Sequence, residues 1–141
     1  MTGGSSGRDP GDVLRDIGAA LVAAAPPGTA RIRYRATAVG AVRRDGFHAE
    51  TAAGNAVNVP VPGAARDGVE ELKQLLWNPQ LGTWLELDVV LDRASGQLEP
   101  RFNRTHEPGG EPLPREAIAE ELRRFPRPPS AIPAWMAERL G

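Results

Sequence analysis

The sequence of 141 residues contains no cysteine, which excludes thiolate nucleophiles, cysteine-ligated zinc, disulfides and thiol redox switching, and fits a reducing cytoplasm. Histidine is nearly as scarce. His48 and His106 are the only two, and their contexts have nothing of a ligand pair, so no metal site is read. The four serines, Ser5, Ser6, Ser95 and Ser130, fall in a Gly/Ser stretch, a turn and a proline-rich link, and none occupies the nucleophile elbow of a serine hydrolase. No glycine-rich phosphate loop occurs, so no nucleotide or other cofactor is indicated. An excess of one charge is missing too: 17 basic residues face 18 acidic ones, and a net charge of −1 attracts neither nucleic acid nor an anionic membrane. The longest apolar run, residues 17–25, is mostly alanine and far short of the roughly 20 residues that a membrane span needs. Residues 1–7 carry no basic cluster ahead of an apolar segment, so they read as a flexible tail and not as a secretory leader.

The clearest positive pattern lies in residues 83–103. Thr83, Leu85, Leu87, Val89 and Leu91 alternate with Trp84, Glu86, Asp88, Val90 and Asp92, which is the period of a strand with one buried face. A glycine-bearing turn at residues 94–97 follows, and Leu98 and Phe102 carry the apolar pattern into a second strand, giving a β-hairpin. Trp84 shares its side with carboxylates, so the alternation predicts an exposed indole where an ordinary solvated face carries Thr or Lys. An aromatic ringed by Glu86, Asp88 and Arg101 has the composition of a binding hot spot.

The rest of the chain supplies elements to pack against this hairpin. Asp9 and Pro10 open a helix whose Val13, Leu14, Ile17 and Leu21 share a face, and Pro26-Pro27-Gly28 ends it. Residues 30–39 alternate Arg31, Arg33 and Arg35 against Ile32, Tyr34, Ala36 and Ala38 as a strand. Residues 41–51 are its antiparallel partner, with His48 on the polar face, and residues 57–59 form a short edge strand closed by Pro60 and Pro62. A helix over residues 64–77 places Val69, Leu72, Leu75 and Leu76 on one face and Lys73 among its polar positions. A third helix follows Pro114, with Ala117, Ile118, Leu122 and Phe125 as its face, and a terminal helix over residues 130–140 docks through Ile132, Trp135, Met136 and Leu140. Trp77 and Trp135, with Leu and Ile neighbours, are expected in the core. The order implies an α+β fold: an antiparallel sheet of about five strands, meander plus hairpin, with N-terminal, middle and C-terminal helices covering one face. Residues 1–9 are read as tail and 10–141 as a single domain.

No catalytic constellation emerges from these elements. Glu86, Asp88 and Asp92 could in principle serve as general acid and base, but alternate polar positions on a strand are its ordinary solvated face, or pair with arginines across the ladder. Arg31, Arg33 and Arg35 lack the interleaved aromatics of a nucleic-acid surface.

Several short motifs taken in order carry a resemblance. Gly82-Thr83-Trp84 opens the long strand, Arg101-Phe102-Asn103 ends the hairpin, and Phe125-Pro126-Arg127 precedes Ile132-Pro133-Ala134-Trp135. Ala24-Ala25-Pro26-Pro27-Gly28 and Leu75-Leu76-Trp77-Asn78-Pro79 end the first two long helices. On these the chain, from Asp12 to Leu140, resembles the YezG-like immunity (antitoxin) proteins of bacterial polymorphic toxin systems. The resemblance implies a small cytoplasmic α+β protein without catalytic activity that binds and neutralises a cognate toxin domain, a nuclease or an NAD-degrading enzyme among the possibilities. The alternative is a non-catalytic adaptor associated with a toxin or secretion system. Family members follow the aromatic-Asn pair with another aromatic and then acids, whereas this chain has Arg104, Thr105, His106 and Glu107. The expected partner surface is Trp84, Glu86, Asp88, Arg101 and Asn103, continued by Arg104, His106 and Glu107.

Overall fold

The computed structural model describes residues 8–141, so the tail expected over residues 1–7 lies outside the described residues. Order begins at once, because α1 (Pro10–Ala24) carries a reciprocal cap. Asp9 Oδ1 accepts from the Asp12 amide at 2.8 Å, and Asp12 Oδ2 accepts from the Asp9 amide at 3.4 Å, satisfying two donors that a helix start leaves open. Asp9, read with Pro10 as the opening of this helix although counted with the tail of residues 1–9, is its N-cap. Arg8 beside it pairs with Asp16 at 2.5 Å and with Glu71 at 3.3 Å.

Five antiparallel strands make one sheet in the order β3-β2-β1-β4-β5. β1 (Thr29–Val39), β2 (Val42–Thr51) and β3 (Ala56–Asn58) form a meander to one side, and the β4 (Glu86–Asp92) and β5 (Leu98–Asn103) hairpin joins the other side of β1. The α+β class and the strand count are as the sequence predicts. α2 (Gly63–Leu75) carries the chain from one outer strand to the far side of the central one. With α1 it packs on the face that bears Ile32, Tyr34, Ala36, Ala38, Leu87, Val89 and Leu91. The two helices approach closely at Gly68, where any Cβ would collide with Ile17. The buried stripe of α2 is Ala65, Gly68, Val69, Leu72 and Lys73, a 3–4 spacing that takes in the lysine and leaves Leu75 exposed, the reverse of the sequence assignment.

The helices do not all cover one face. α3 (Arg115–Arg124), a single 3₁₀ turn (Pro129–Ala131) and α4 (Ala134–Leu140) enclose a second core of Val39, Leu85, Leu113, Ala117, Ile118 and Met136, with Val42 packed against it. Val39 shares its side of β1 with Arg35 and Thr37, and Val42 its side of β2 with Arg44, so this core sits on the opposite side of the sheet, at the β1–β2 turn. That turn admits α3 because Gly40, at φ +56°, has no Cβ to strike the Ala117 backbone.

The strand pattern around Trp84 also needs correction. β4 begins at Glu86, and the chain bends at Leu85. Alternation across that bend fails: Leu87, Val89 and Leu91 face the first core, Leu85 turns into the second, and Trp84 swings into the first. Trp84 is 0% exposed. It is not an anchor on a wet face, because the bend moves it to the other side of the sheet. No helix among the described residues is long and apolar enough to cross a membrane.

Candidate functional site

Because α3 and α4 cover just the turn end of the second face, the remainder of that face is open. Strand register fixes what it displays. Reading across β2, β1, β4 and β5, one row is Glu50, Arg31 and Asp92; the next is His48, Arg33, Val90 and Glu99; the next is Gly46, Arg35, Asp88 and Arg101; the last, Arg44, Thr37, Glu86 and Asn103, borders the covered end, and its Thr37 is buried. Opposite charges thus stand side by side, the arrangement that stabilises neighbouring strands by a few tenths of a kcal/mol per pair. Arg33 forks onto Asp88, Nε to Oδ1 at 3.2 Å and Nη2 to Oδ2 at 2.8 Å, while Arg35 Nε stands 3.8 Å from the same carboxylate. The Arg33 hydrogen bonds, with Arg35 and Arg101 adding charge, hold the Asp88 carboxyl below the usual carboxylate range. Asp88 is thereby a fixed anion and has no proton to give. The depression bounded by Arg35, Glu86, Asp88 and Arg101 measures about 190 Å³, small against the ~300–1,000 Å³ of small-molecule sites.

The predicted partner residues divide into three groups. Glu86, Asp88 and Arg101 share the open face as the alternation requires. Asn103, whose Nδ2 also reaches Glu86 Oε1 at 3.4 Å, ends that face and with Arg104, His106 and Glu107 organises the loop that leaves β5. Asn103 Oδ1 accepts from the amides of Thr105 at 3.2 Å and His106 at 2.9 Å, and its Nδ2 donates to the His106 carbonyl at 2.9 Å. Arg104 donates to Leu76 O at 3.3 Å, and Glu107 pairs with Arg139 of α4 at 2.6 Å, leaving the His106 ring exposed. Trp84 joins neither group: it is buried against Phe102, ring centroids 5.8 Å apart.

Around Trp84 lies a buried polar junction. Lys73 Nζ donates to Ala38 O and Trp84 O, both at 2.6 Å, and to Glu121 Oε2 at 2.7 Å. Glu121 Oε1 accepts the Gly40 amide at 2.9 Å, and Thr83 Oγ1 donates to Lys73 O at 2.7 Å. The ammonium also lies 5.4 Å from the ring centres of Trp84 and Phe125. All three lysine donors are met, as a buried cation demands. Desolvation outweighs the help from Glu121 and lowers the Lys73 pKa to about 8. Arg127 closes the junction, donating to Thr83 O at 3.0 Å, Arg104 O at 2.8 Å and Ala131 O at 3.0 Å. Sequence reasoning missed this cluster, although a lysine on the 65-68-69-72 stripe of an amphipathic helix was a visible signal.

The tryptophans expected in the core are partly outside it. Trp77 is 39% exposed, tethered by Nε1 to Pro126 O at 3.2 Å, and Trp135 is half-buried against the second core with Nε1 on Thr105 O at 2.8 Å. Leu81, 51% exposed, stands in a tight loop closed by Asn78 N to Gly82 O at 3.0 Å and Gly82 N to Asn78 O at 2.7 Å.

No family model matches the chain, and no curated protein matches it.

Proposed function

We propose that the protein is an immunity protein of the YezG-like kind, which neutralises a cognate toxin domain in the cytoplasm by direct, stoichiometric binding and not by catalysis. The observation that carries this reading is the convergence of the resembling motifs. Gly82-Thr83-Trp84 with the neighbouring Trp77 helix end, Arg101-Phe102-Asn103, and Phe125-Pro126-Arg127 lie in three separate stretches of the sequence, yet they meet in one knot. Arg127 bonds Thr83 O and Arg104 O, Trp84 packs at a tilt against Phe102, and Trp77 bonds Pro126 O. Motifs that hold a junction together are what a likeness of fold would preserve, while partner choice varies on the surface around it. On this reading selectivity belongs to the open face, at Arg33, Arg35, Glu86, Asp88, Glu99 and Arg101, whose mixed charges suit orientation and selection of a protein partner. Asp88, held ionised by Arg33, is unsuited to the role of general acid.

Co-expression of this chain with the toxin domain encoded beside it tests the proposal. Cell survival together with a one-to-one complex is the expected result. Survival without a complex, as an enzyme clearing the toxin's product would give, or death despite soluble protein, would overturn it.

A further inference from the structure

The sheet's outer backbone is guarded unevenly. In β5 the bond from Asp92 N to Gln97 O at 3.0 Å sets the phase that turns Leu98, Pro100 and Phe102 outward, and Pro100 in the middle has no N–H to offer another strand. At the other side β3 is three residues long and runs into Pro60, a blunt edge of the usual protective kind. β3, however, covers only residues 48–50 of β2. Val59 N to Phe47 O and Thr51 N to Asn55 O, both 2.9 Å, show that the odd-numbered residues of β2 face away from β1. Arg43 and Asp45 therefore turn two N–H and two C=O groups outward, and among the described residues none has a partner. Asp45 is exposed as a residue although its side chain is only 16% exposed, so it is the main chain that meets water.

Beside this edge lies a groove of about 400 Å³ with Tyr34, Ala36 and Val69 among its lining and Arg43, Asp45, Arg66 and Glu70 on its rim. The rim charges are already closed in pairs, Arg43 with Glu70 at 2.5 Å and Arg66 with Asp45 at 2.9 Å. Arg44, directed to the open-face side, holds the Glu111 carbonyl at 2.6 Å and no carboxylate among the described residues. We propose that the edge of β2 at residues 43–45 takes up a short extended segment of a partner protein as an added strand, with an acidic side chain opposite Arg44 and small apolar side chains on either side, over the groove.

A second copy of this chain is the wrong occupant. Antiparallel self-pairing that joins outward groups to outward groups has its two-fold axis at residue 43, 44 or 45, which opposes Arg43 to Arg43, Arg44 to Arg44 or Asp45 to Asp45. Like charges directly opposite destabilise a ladder, and the axes at 43 and 45 gain no opposite-charge pair in return. The axis at 44 sets Arg43 against Asp45, whose charges Glu70 and Arg66 already meet, while it brings two Arg44 side chains together with no carboxylate between them. The inference holds whatever the partner's activity, so it stands or falls apart from the immunity reading.

The test titrates isotope-labelled full chain with a blocked peptide, Lys-Thr-Val-Glu-Val-Thr-Lys, to millimolar concentration. Amide signals of Arg43 and Asp45 are expected to shift and their exchange with solvent to slow about tenfold, while Val42 and Arg44, whose amides face β1, are unchanged. Methylating both valine nitrogens removes the donors that face the edge and should abolish the effect; Arg44→Glu should weaken binding about tenfold. Asp45→Pro, whose one backbone loss is an outward N–H, should also block the peptide, whereas Asp45→Ala, which loses the same carboxylate on Arg66 but keeps that N–H, should not. Equal binding of the methylated peptide, shifts confined to another surface, no binding at all, or self-association through these amides would each overturn the proposal.

Discussion

The junction around Trp84 and the open sheet face beyond it both set carboxylates beside cations, but one is dry and the other wet. At the junction Lys73 and Glu121 are each 1% exposed, so every hydrogen bond counts against the cost of removing two charges from water. On the face, Arg33 and Asp88 are 49% and 21% exposed, and solvent screens most of their attraction. The difference teaches that composition does not separate scaffold from surface here; access to water does. An indole beside carboxylates is a hot spot in the second setting and a core residue in the first.

The comparison can be broken most sharply at Glu121. Glu121→Ala leaves the Lys73 ammonium buried without its counter-charge and should cost about 4 kcal/mol, measured by urea unfolding. The double variant Lys73→Met, Glu121→Leu should recover part of that loss, because both charges go together while the Gly40 amide and the Ala38 and Trp84 carbonyls lose their partners. Trp84→Ala should cost about 3 kcal/mol of stability. If the variant instead kept wild-type stability and lost only partner binding, the assignment of Trp84 to the scaffold would be wrong.

Stability against pH gives a third contrast. The unfolded Lys73 binds its proton near 10.5 and the folded one near 8, so between these values the unfolded state holds more protons and stability rises with pH. Tyr34, whose phenol is pushed above its usual 10 by burial and by Asp45, works the other way once the unfolded tyrosine ionises. Chemical denaturation across this range should show stability climbing from about pH 8 to about pH 10 and then flattening, with the climb absent in Lys73→Met. On the acid side, Asp88 and Glu70, both held low first by arginine hydrogen bonds, contribute stability at neutral pH that disappears as they are protonated. The smallest effects belong to the surface. Asp88→Asn should change stability by about 0.5 kcal/mol or less, yet should alter the rate of partner association and its salt dependence.

How far the sequence discloses this molecule depends on what each element touches. Alternation in residues 30–39 and 86–92 marks both strands, because one face of each meets helices and the other meets solvent. Residues 83–85 break the rule because the chain bends there to serve two cores, and a local pattern carries no record of a bend made by tertiary packing. Lys73 misleads for a similar reason: its partners come from the end of β1, the segment before β4, and α3, none of them near in sequence. Glu86, Asp88 and Arg101 are legible as neighbours, since hairpin register alone puts them on one side. The unpaired edge of β2 is not, because it depends on where β3 happens to stop.

Lys73 lies at mid-chain and Glu121 near its end. On a ribosome, the sheet and α1 emerge while the cation of α2 still has no anion to meet. α2 can settle fully only after α3 has cleared the exit tunnel. Synthesis thus delays final closure of the first core until the second has been made, and the two halves should mature and unfold as one cooperative unit.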